Sequence, residues 1–180
     1  SKAIDLFLSR AEKTFFMSKK QMDRHIEFCQ HLSAERCDMA GSCFDKDFFN
    51  EVEKILEIKD KHSSFSTDFT AIYGQPTWQK GVGNAIFWCE KNDKPYKPLF
   101  DMEYYEFLRS LAQCERLVFL PNGADTAPRT VMEARLLGLD LVLNDLVEHA
   151  DEEWFTTKDL SVTKNHLKKQ PEVFAEKIKI

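Results

Sequence analysis

A lysine and two acidic residues, carried by two loop segments that contain glycine, are the side chains best suited to bind a phosphorylated ligand. Lys80 lies in residues 74–83 (GQPTWQKGVG), whereas Asp125 and Glu133 lie in residues 121–133 (PNGADTAPRTVME). A lysine supplies positive charge to a phosphate, and carboxylates accept paired hydrogen bonds from hydroxyl groups. These residue types predict a ligand that carries both phosphate and hydroxyl groups.

The second segment has the features of a loop that leads into a helix at an anion site. Gly123 permits a tight turn, and Pro128 is favoured in the first turn of a helix, where its missing N–H costs nothing. The free N–H groups of that turn and the positive end of the helix dipole attract phosphate. Besides the two carboxylates, the residues expected at this site are Gly123, Thr126, Ala127, Arg129 and Thr130.

The spacing of Asp125 and Glu133 is compatible with one elongated ligand. If helical geometry extends across both residues, they lie about 12 Å apart along the axis with an angular offset of about 80°. A diphosphate at the helix start, with a hydroxyl-bearing ring on either side, describes a nucleotide-sugar. Structural roles stay open, since Asp125 also suits a helix cap, and Arg129 with Glu133 a surface ion pair.

The first segment matches neither of the common phosphate-binding fingerprints. No Ser or Thr follows Lys80, as a P-loop requires, and Ile86 stands where the dinucleotide fingerprint has its third glycine. What remains is a lysine at a predicted helix start beyond the end of a strand. We expect Gly74, Gln75 and Gly81 to contribute to the site together with Lys80, and a solvated lysine is the alternative.

Composition narrows the possible classes of function. The chain has 180 residues, of which 43% are hydrophobic, and its net charge of -5 argues against a nucleic-acid partner. The five cysteines and five histidines lack metal-ligand spacing, so we expect reduced thiols, no metal site and a cytoplasmic location. No apolar run approaches the roughly 20 residues of a membrane span, and no signal peptide is apparent. Oligomeric state stays open.

The elements that position these residues alternate along the chain. Strands are predicted at residues 13–18, 38–44, 69–73, 95–100, 116–120 and 139–144. Helices are predicted at residues 19–32, 48–59, 80–91, 104–114 and 128–137, and beyond residue 144 with an interruption near Pro171. The pattern predicts an α/β fold, a doubly wound parallel sheet of about six strands with helices on both faces, in one Rossmann-like domain over residues 1–180. Both loop segments follow the carboxyl ends of predicted strands, where open α/β sheets bind ligands.

Residues 117–138 (LVFLPNGADTAPRTVMEARLLG) resemble the C-terminal domain signature of the group 1, GT-B type, glycosyltransferases. That signature has an apolar strand, a proline, an acidic residue, seven residues, and then Glu-Ala in a helix closed by glycine. Asp125, Glu133 and Gly138 hold the corresponding positions here. Lys80 and the glycine after it resemble the family's Lys-Gly loop, and the similarity covers most of the chain.

The resemblance implies a metal-independent and usually retaining sugar transfer from a nucleotide-diphosphate sugar, with no cofactor. Lys80 would neutralise the donor diphosphate as the leaving group forms, and Asp125 would contact hydroxyl groups of the donor sugar. Glu133 would hold the ribose hydroxyls, with the backbone of residues 126–130 near the phosphates. The base, the sugar and the acceptor stay open.

Departures from the family pattern change what we expect of this chain. Asp125 stands where the family usually has glutamate, and Gln75 replaces a loop arginine. The family's N-terminal acceptor domain is absent from this sequence, so we expect the chain alone to bind donor weakly and to transfer poorly, with a possible upstream acceptor domain as partner. The alternatives are a nucleotide-sugar epimerase of GT-B fold and a degenerate, non-catalytic binding or scaffold module. A nicotinamide-dependent oxidoreductase is disfavoured by the failed glycine fingerprint.

Overall fold

The computed structural model describes residues 2–29 and 31–178, and these residues form an α/β fold in which all paired strands are parallel. In chain order the elements are α1 (Lys2–Arg10), β1 (Thr14–Phe16), α2 (Lys19–Phe28), β2 (Cys37–Met39), α3 (Lys46–Lys61), β3 (Thr70–Tyr73), α4 (Val82–Lys91), β4 (Tyr96–Leu99), α5 (Tyr104–Ala112), β5 (Arg116–Phe119), α6 (Arg129–Leu136), β6 (Asp140–Leu143), α7 (Glu153–Thr156) and α8 (Leu160–Lys177). The predicted α/β class with parallel strands is confirmed.

Four strands form the main sheet, in the order β4-β3-β5-β6. The chain passes from β3 outward to β4, crosses back over β3 to β5, and then continues to β6 at the other edge. The carboxyl ends of β3 and β5 are therefore neighbours at the point where the strand order reverses, and Ile72 lies opposite Val118 there. Such a reversal point is where doubly wound sheets bind ligands.

Helices cover both faces of the main sheet because successive strand residues point to opposite sides and are apolar on each. On one face, Ile72 and Val118 pack with Cys89 of α4. On the other face, Ala71 and Leu117 belong to a larger core to which α3, α5 and α6 contribute. Burial on both sides explains why β3 and β5 are continuous apolar runs in the sequence.

The expectation of about six strands in one sheet is wrong, because the six strands divide between two sheets. β1 and β2 pair with each other in a two-stranded sheet, with Thr14 opposite Cys37. Phe16 of β1 packs with Leu8 and Leu32 in a small core of its own. An apolar run predicts a buried strand but does not identify its neighbour, so the sequence pattern could not predict this division.

Some element boundaries also differ from the predicted ones. β2 covers residues 37–39, so most of the strand predicted at residues 38–44 is irregular. α3 begins after Asp45, whose carboxylate accepts the backbone N–H of Phe48 at 2.7 Å and so caps the helix. α1 has no counterpart among the predicted helices. Gln30, near the end of the helix predicted at residues 19–32, lies outside the described residues.

The last helix is longer and more continuous than predicted. α8 has 18 residues and runs through Pro171, where the sequence predicts an interruption. Proline removes one helical hydrogen bond, but α8 packs against α6 and α7, and this packing offsets that loss. Neither α8 nor any other helix in the described residues is long and apolar enough to cross a membrane.

Candidate functional site

The two loop segments that the sequence singles out meet at the reversal point between β3 and β5. The backbone N–H of Asn122 donates to the carbonyl of Gln79 at 3.1 Å, and its side-chain amide donates to the carbonyl of Trp78 at 2.7 Å. Asn84, on α4, donates to the carbonyl of Leu120 at 3.0 Å. These hydrogen bonds hold the loop after β3 against the loop after β5, so their side chains share one site.

Lys80 and Asp125, the two residues predicted to be catalytic, form an ion pair at this site. The Lys80 Nζ lies 2.7 Å from Oδ2 of Asp125, and the two side chains are 25% and 11% exposed. Partial shielding from water strengthens this attraction relative to a surface pair. Nζ also lies 5.7 Å from the ring centroid of Phe119, at a distance where cation–π attraction acts.

The backbone of Gly81 directs Lys80 towards Asp125. Trp78–Lys80 form a 3₁₀ turn rather than the predicted start of a helix, and Gly81 follows with φ +65° before α4 begins. A Cβ atom at Gly81 would lie 1.9 Å from the carbonyl oxygen of Leu120. A glycine is therefore required where the two loops approach, and this approach brings Lys80 to Asp125.

Asp125 is held by an extended bridge rather than by a helix. Its backbone N–H donates to the carbonyl of Leu146 at 2.8 Å, and its own carbonyl accepts the N–H of Glu148 at 3.1 Å. Because α6 begins only at Arg129, the continuous helical rise considered for Asp125 and Glu133 is wrong. The two carboxylates therefore reach the site from different elements.

The bridge that holds Asp125 is itself anchored to the start of α2. Glu148, whose side chain is 3% exposed, accepts a hydrogen bond from the Ser18 hydroxyl at 2.6 Å and pairs with Arg24. Ser18 is also the N-cap of α2. A buried carboxylate requires such partners, and here they connect the small two-stranded sheet region to the Asp125 loop.

The first turn of α6 offers backbone N–H groups close in sequence to the ion pair. Its N-cap is Pro128 and no side chain caps it, so the interpretation of Asp125 as a helix cap is wrong. Arg129 stacks on Phe44, with its guanidinium carbon 4.4 Å from the ring centroid. An uncapped helix start with an adjacent guanidinium suits an anion.

A cavity of about 590 Å³ opens beside the two loops. Its walls come from the end of β3, the segment at residues 100–102 that follows β4, α5, and the first turns of α6. Of the predicted site residues, the lining includes Gln75, Arg129, Thr130 and Glu133. A volume of this size is typical of small-molecule sites.

Glu133 is the buried acid of this cavity. Its side chain is 3% exposed, and the Tyr104 hydroxyl donates to its Oε1 at 2.8 Å. Burial raises the pKa of Glu133, while the Tyr104 hydrogen bond and the Arg129 charge oppose that shift. Burial and the Glu133 carboxylate also raise the pKa of the Tyr104 hydroxyl, which therefore remains a donor. Arg129 Nε lies 3.8 Å from Glu133 Oε1. Because the Glu133 side chain is buried, the two residues do not form the surface ion pair that the sequence left open.

The other predicted site residues lie near the ion pair or at the end of β3. Gly74 is buried at the end of β3, and Gln75 accepts a hydrogen bond from the Tyr73 hydroxyl at 3.2 Å. Gly123 lies beneath Trp78, where an added Cβ would be 3.5 Å from the ring. Two half-buried residues, Thr126 and Ala127, connect Asp125 to α6. Gly123, Thr126 and Ala127 do not line the cavity, and neither do Lys80, Gly81 and Asp125.

Sequence reasoning missed several residues that build the site. Tyr104, 29 residues from Glu133, approaches it only through the packing of α5 and α6. Asn84 and Asn122 join the two loops through a side-chain hydrogen bond of 2.8 Å. The sequence signal that could have found Tyr104 is its position. Residues 100–104 follow a predicted strand, and the carboxyl end of that strand lies at the same edge of the sheet as the two loops.

A buried histidine lies behind the Asp125 loop. His149 is 1% exposed, and neither of its ring nitrogens hydrogen bonds to a side chain among the described residues. Its ring is stacked on Trp154, with centroids 5.6 Å apart, and Phe155 contacts it edge-on. Burial lowers the pKa of His149 to about 4, although the Thr126 backbone and Asp151 favour the protonated ring. His149 is therefore neutral in the folded state at pH 7.

This shift makes the stability of the fold depend on pH. Between the unfolded pKa of His149, about 6.5, and its folded pKa of about 4, the unfolded chain binds more protons. The free energy of unfolding should thus be highest above pH 6.5 and decrease by about 3 kcal/mol towards pH 4. We expect His149→Gln to flatten this dependence in urea unfolding between pH 4 and pH 7.5. Burial also lowers the pKa of His166, but His166 is present in both the unmodified protein and the variant, so it does not contribute to the difference between their slopes. Equal slopes would contradict the prediction.

Comparisons with known proteins leave the site to be interpreted from its own geometry. No protein-family model matches the chain, and no curated protein matches it significantly. Within the described parts of the chain, no group of three or more His, Cys, Asp or Glu side chains is arranged to hold a metal ion. What the described residues do bring together is an ion pair, an uncapped helix start and a cavity with a buried acid.

Proposed function

We propose that this chain is the donor-binding domain of a glycosyltransferase, which binds a nucleotide-diphosphate sugar for metal-independent, retaining transfer. The observation that carries the proposal is the Lys80–Asp125 ion pair, 2.7 Å long, at the reversal point of a doubly wound sheet. The uncapped start of α6 and the cavity with Glu133 support it, since together they suit phosphate, sugar and ribose. The resemblance of residues 117–138 to the group 1 signature agrees with this interpretation.

Each part of the site has a role in the proposed reaction. The bond that breaks joins the sugar to the donor diphosphate, and negative charge develops on the departing phosphate oxygen. The Lys80 ammonium group, together with the N–H groups at the start of α6, stabilises that charge. Asp125 accepts hydrogen bonds from the donor-sugar hydroxyls, and Glu133 accepts them from the ribose. Because Lys80 and Asp125 are already paired, both are oriented before the ligand arrives.

The proposal includes an acceptor that a second domain binds, as in the GT-B architecture. This chain would then bind donor weakly by itself and transfer poorly. A cytoplasmic location is also part of the proposal, and the unpaired state of all five cysteines supports it.

A thermal-shift titration with UDP, GDP and ADP and their sugars, with and without magnesium, tests the proposal. A nucleotide that binds only the folded state raises the midpoint of unfolding, by an amount that grows with the logarithm of its concentration relative to its Kd. We expect one nucleoside diphosphate to give a shift that does not depend on magnesium and that Lys80→Ala reduces. Lys91→Ala, at the exposed far end of α4, is the matched control and should leave the shift unchanged. No shift with any nucleotide at millimolar concentration would contradict the proposal.

A non-catalytic binding module is the second candidate, and Gln75 favours it. Gln75 brings no positive charge to the cavity, and its Oε1 accepts the Tyr73 hydroxyl instead. The loop cation of the family pattern is then missing beside Lys80, which weakens the site for transfer more than for binding. The two candidate functions are separated by the release of sugar from a bound nucleotide-sugar, measured as transfer with an added acceptor-binding partner or as slow hydrolysis. An enzyme releases the sugar, whereas a binding module does not.

A further inference from the structure

The segment that follows β4 supplies one end of the cavity. Phe100 is 55% exposed although it is aromatic, and its ring lies against Gly74, where an added Cβ would be 3.0 Å from it. Asp101 and Met102 come next and also line the cavity. An exposed aromatic ring at the mouth of a cavity is suited to stack on a planar ligand.

Asp101 combines an exposed carboxylate with a position in the cavity wall. Its backbone has φ +54°, a left-handed conformation that aspartate adopts more readily than most residues. Its carboxylate makes no hydrogen bond or ion pair with the other described residues. The neighbouring acids are engaged, since Glu103 caps α5 and Glu133 accepts from Tyr104. Asp101 thus presents a free carboxylate beside an aromatic ring.

The order of the strands arranges the groups of a ligand across the sheet edge. β5 and β3 carry the Lys80–Asp125 pair at their carboxyl ends, and β4, on the other side of β3, carries Phe100 and Asp101. Glu133, on α6, lines the same cavity as Asp101. A nucleotide whose phosphates lie at Lys80 and whose ribose lies at Glu133 therefore directs its base towards β4.

Base chemistry determines which nucleotide a carboxylate in that position favours. Guanine presents two adjacent donors, N1–H and the 2-amino group, which match the two oxygens of one carboxylate. Uracil presents a single N–H between two carbonyl oxygens, which a carboxylate repels. Adenine and cytosine each place a ring acceptor beside their amino group. Only guanine among these bases therefore forms a bidentate pair with an aspartate.

We propose that Asp101 and Phe100 form a guanine-selective base site, so that the donor is a GDP-sugar. This inference rests on the proposed function, because it assumes that a nucleotide occupies the cavity. Phe100 stacks on the base, and the Asp101 carboxylate accepts hydrogen bonds from N1–H and the 2-amino group.

Isothermal titration calorimetry of the chain with GDP, IDP, UDP and ADP tests the base site. We expect GDP to bind about tenfold to a hundredfold more tightly than UDP or ADP, as a charge-assisted bidentate contact allows. IDP, which lacks the 2-amino group, should bind less tightly than GDP. Asp101→Asn should remove the preference for GDP and increase the affinity for XDP, because an amide can donate to the xanthine carbonyl that replaces the amino group.

Asp93→Asn is the matched control, because Asp93 also has a left-handed backbone, with φ +51°, but does not line the cavity. Asparagine adopts this conformation readily, so both variants should fold. If UDP or ADP binds as tightly as GDP, or if Asp101→Asn leaves the affinity for GDP unchanged, the guanine site is wrong while donor binding stands. If no nucleoside diphosphate binds, both the guanine site and the proposed function are wrong.

Discussion

Gly81→Ala is expected to destabilise the fold by at least about 3 kcal/mol, the sum of a left-handed backbone penalty and a steric clash. The added Cβ would lie 1.9 Å from the Leu120 carbonyl oxygen, 2.7 Å from its carbonyl carbon and 2.9 Å from Cα of Pro121. All three atoms belong to the backbone, so no side chain can rotate away to relieve the contact. The loops must separate, and Lys80 then moves away from Asp125. Urea unfolding at pH 7 measures the loss.

Two other glycines separate the two causes of that loss. Gly138 also has positive φ, +74°, but nothing lies within 4 Å of an added Cβ, so Gly138→Ala should cost only the backbone penalty of about 1 to 2 kcal/mol. Gly83 lies within α4 with open space around it, and Gly83→Ala should leave stability unchanged or raise it slightly. If Gly81→Ala unfolds at the same urea concentration as Gly138→Ala, the close approach of the two loops is contradicted.

The parts of the fold that the sequence predicts are those fixed by local pattern. β3 and β5 are short runs of apolar residues buried on both sides, and such runs indicate central parallel strands. α6 ends before Gly138, whose positive φ suits the end of a helix. Both strands precede the two glycine loops, so the sequence places both loops at the carboxyl-end edge of the sheet, but the pairing of Lys80 with Asp125 depends on β3 and β5 being neighbours.

The parts that the sequence does not predict depend on contacts between distant residues. The separation of β1 and β2 from the main sheet depends on which strands pair, and an apolar run carries no such information. A continuous helical geometry across Asp125 and Glu133 is one possibility that the spacing allows, but the backbone of Asp125 instead pairs with Leu146 in an extended bridge. Tyr104 reaches Glu133 through the packing of two helices. The cavity could not be derived from spacing, since its walls come from four elements.

Glu133→Ala is expected to lower the affinity for the bound nucleoside diphosphate about tenfold to a hundredfold, if Glu133 holds the ribose as proposed. Hydrogen bonds from hydroxyl groups to a charged carboxylate are worth about 1.5 to 3 kcal/mol, more than neutral ones. Burial raises the pKa of Glu133, and the Tyr104 hydrogen bond and the Arg129 charge favour its charged form. The Glu133 side chain is 3% exposed, so little water competes for its oxygens. Tyr104 occupies Oε1 and leaves Oε2 for the ligand. Isothermal titration calorimetry with GDP and UDP measures the change.

Removal of the ribose hydroxyl distinguishes contact with Glu133 from a general loss of structure. The unmodified protein should bind GDP more tightly than 2′-deoxy-GDP, and Glu133→Gln should reduce that difference, since its amide still accepts from Tyr104 but carries no charge. Glu51→Gln makes the same change at a buried carboxylate that pairs with Arg109 outside the cavity, so it should reduce stability but leave both affinities unchanged. Equal loss of GDP and 2′-deoxy-GDP binding in Glu133→Gln would show that this carboxylate supports the cavity without touching the ribose.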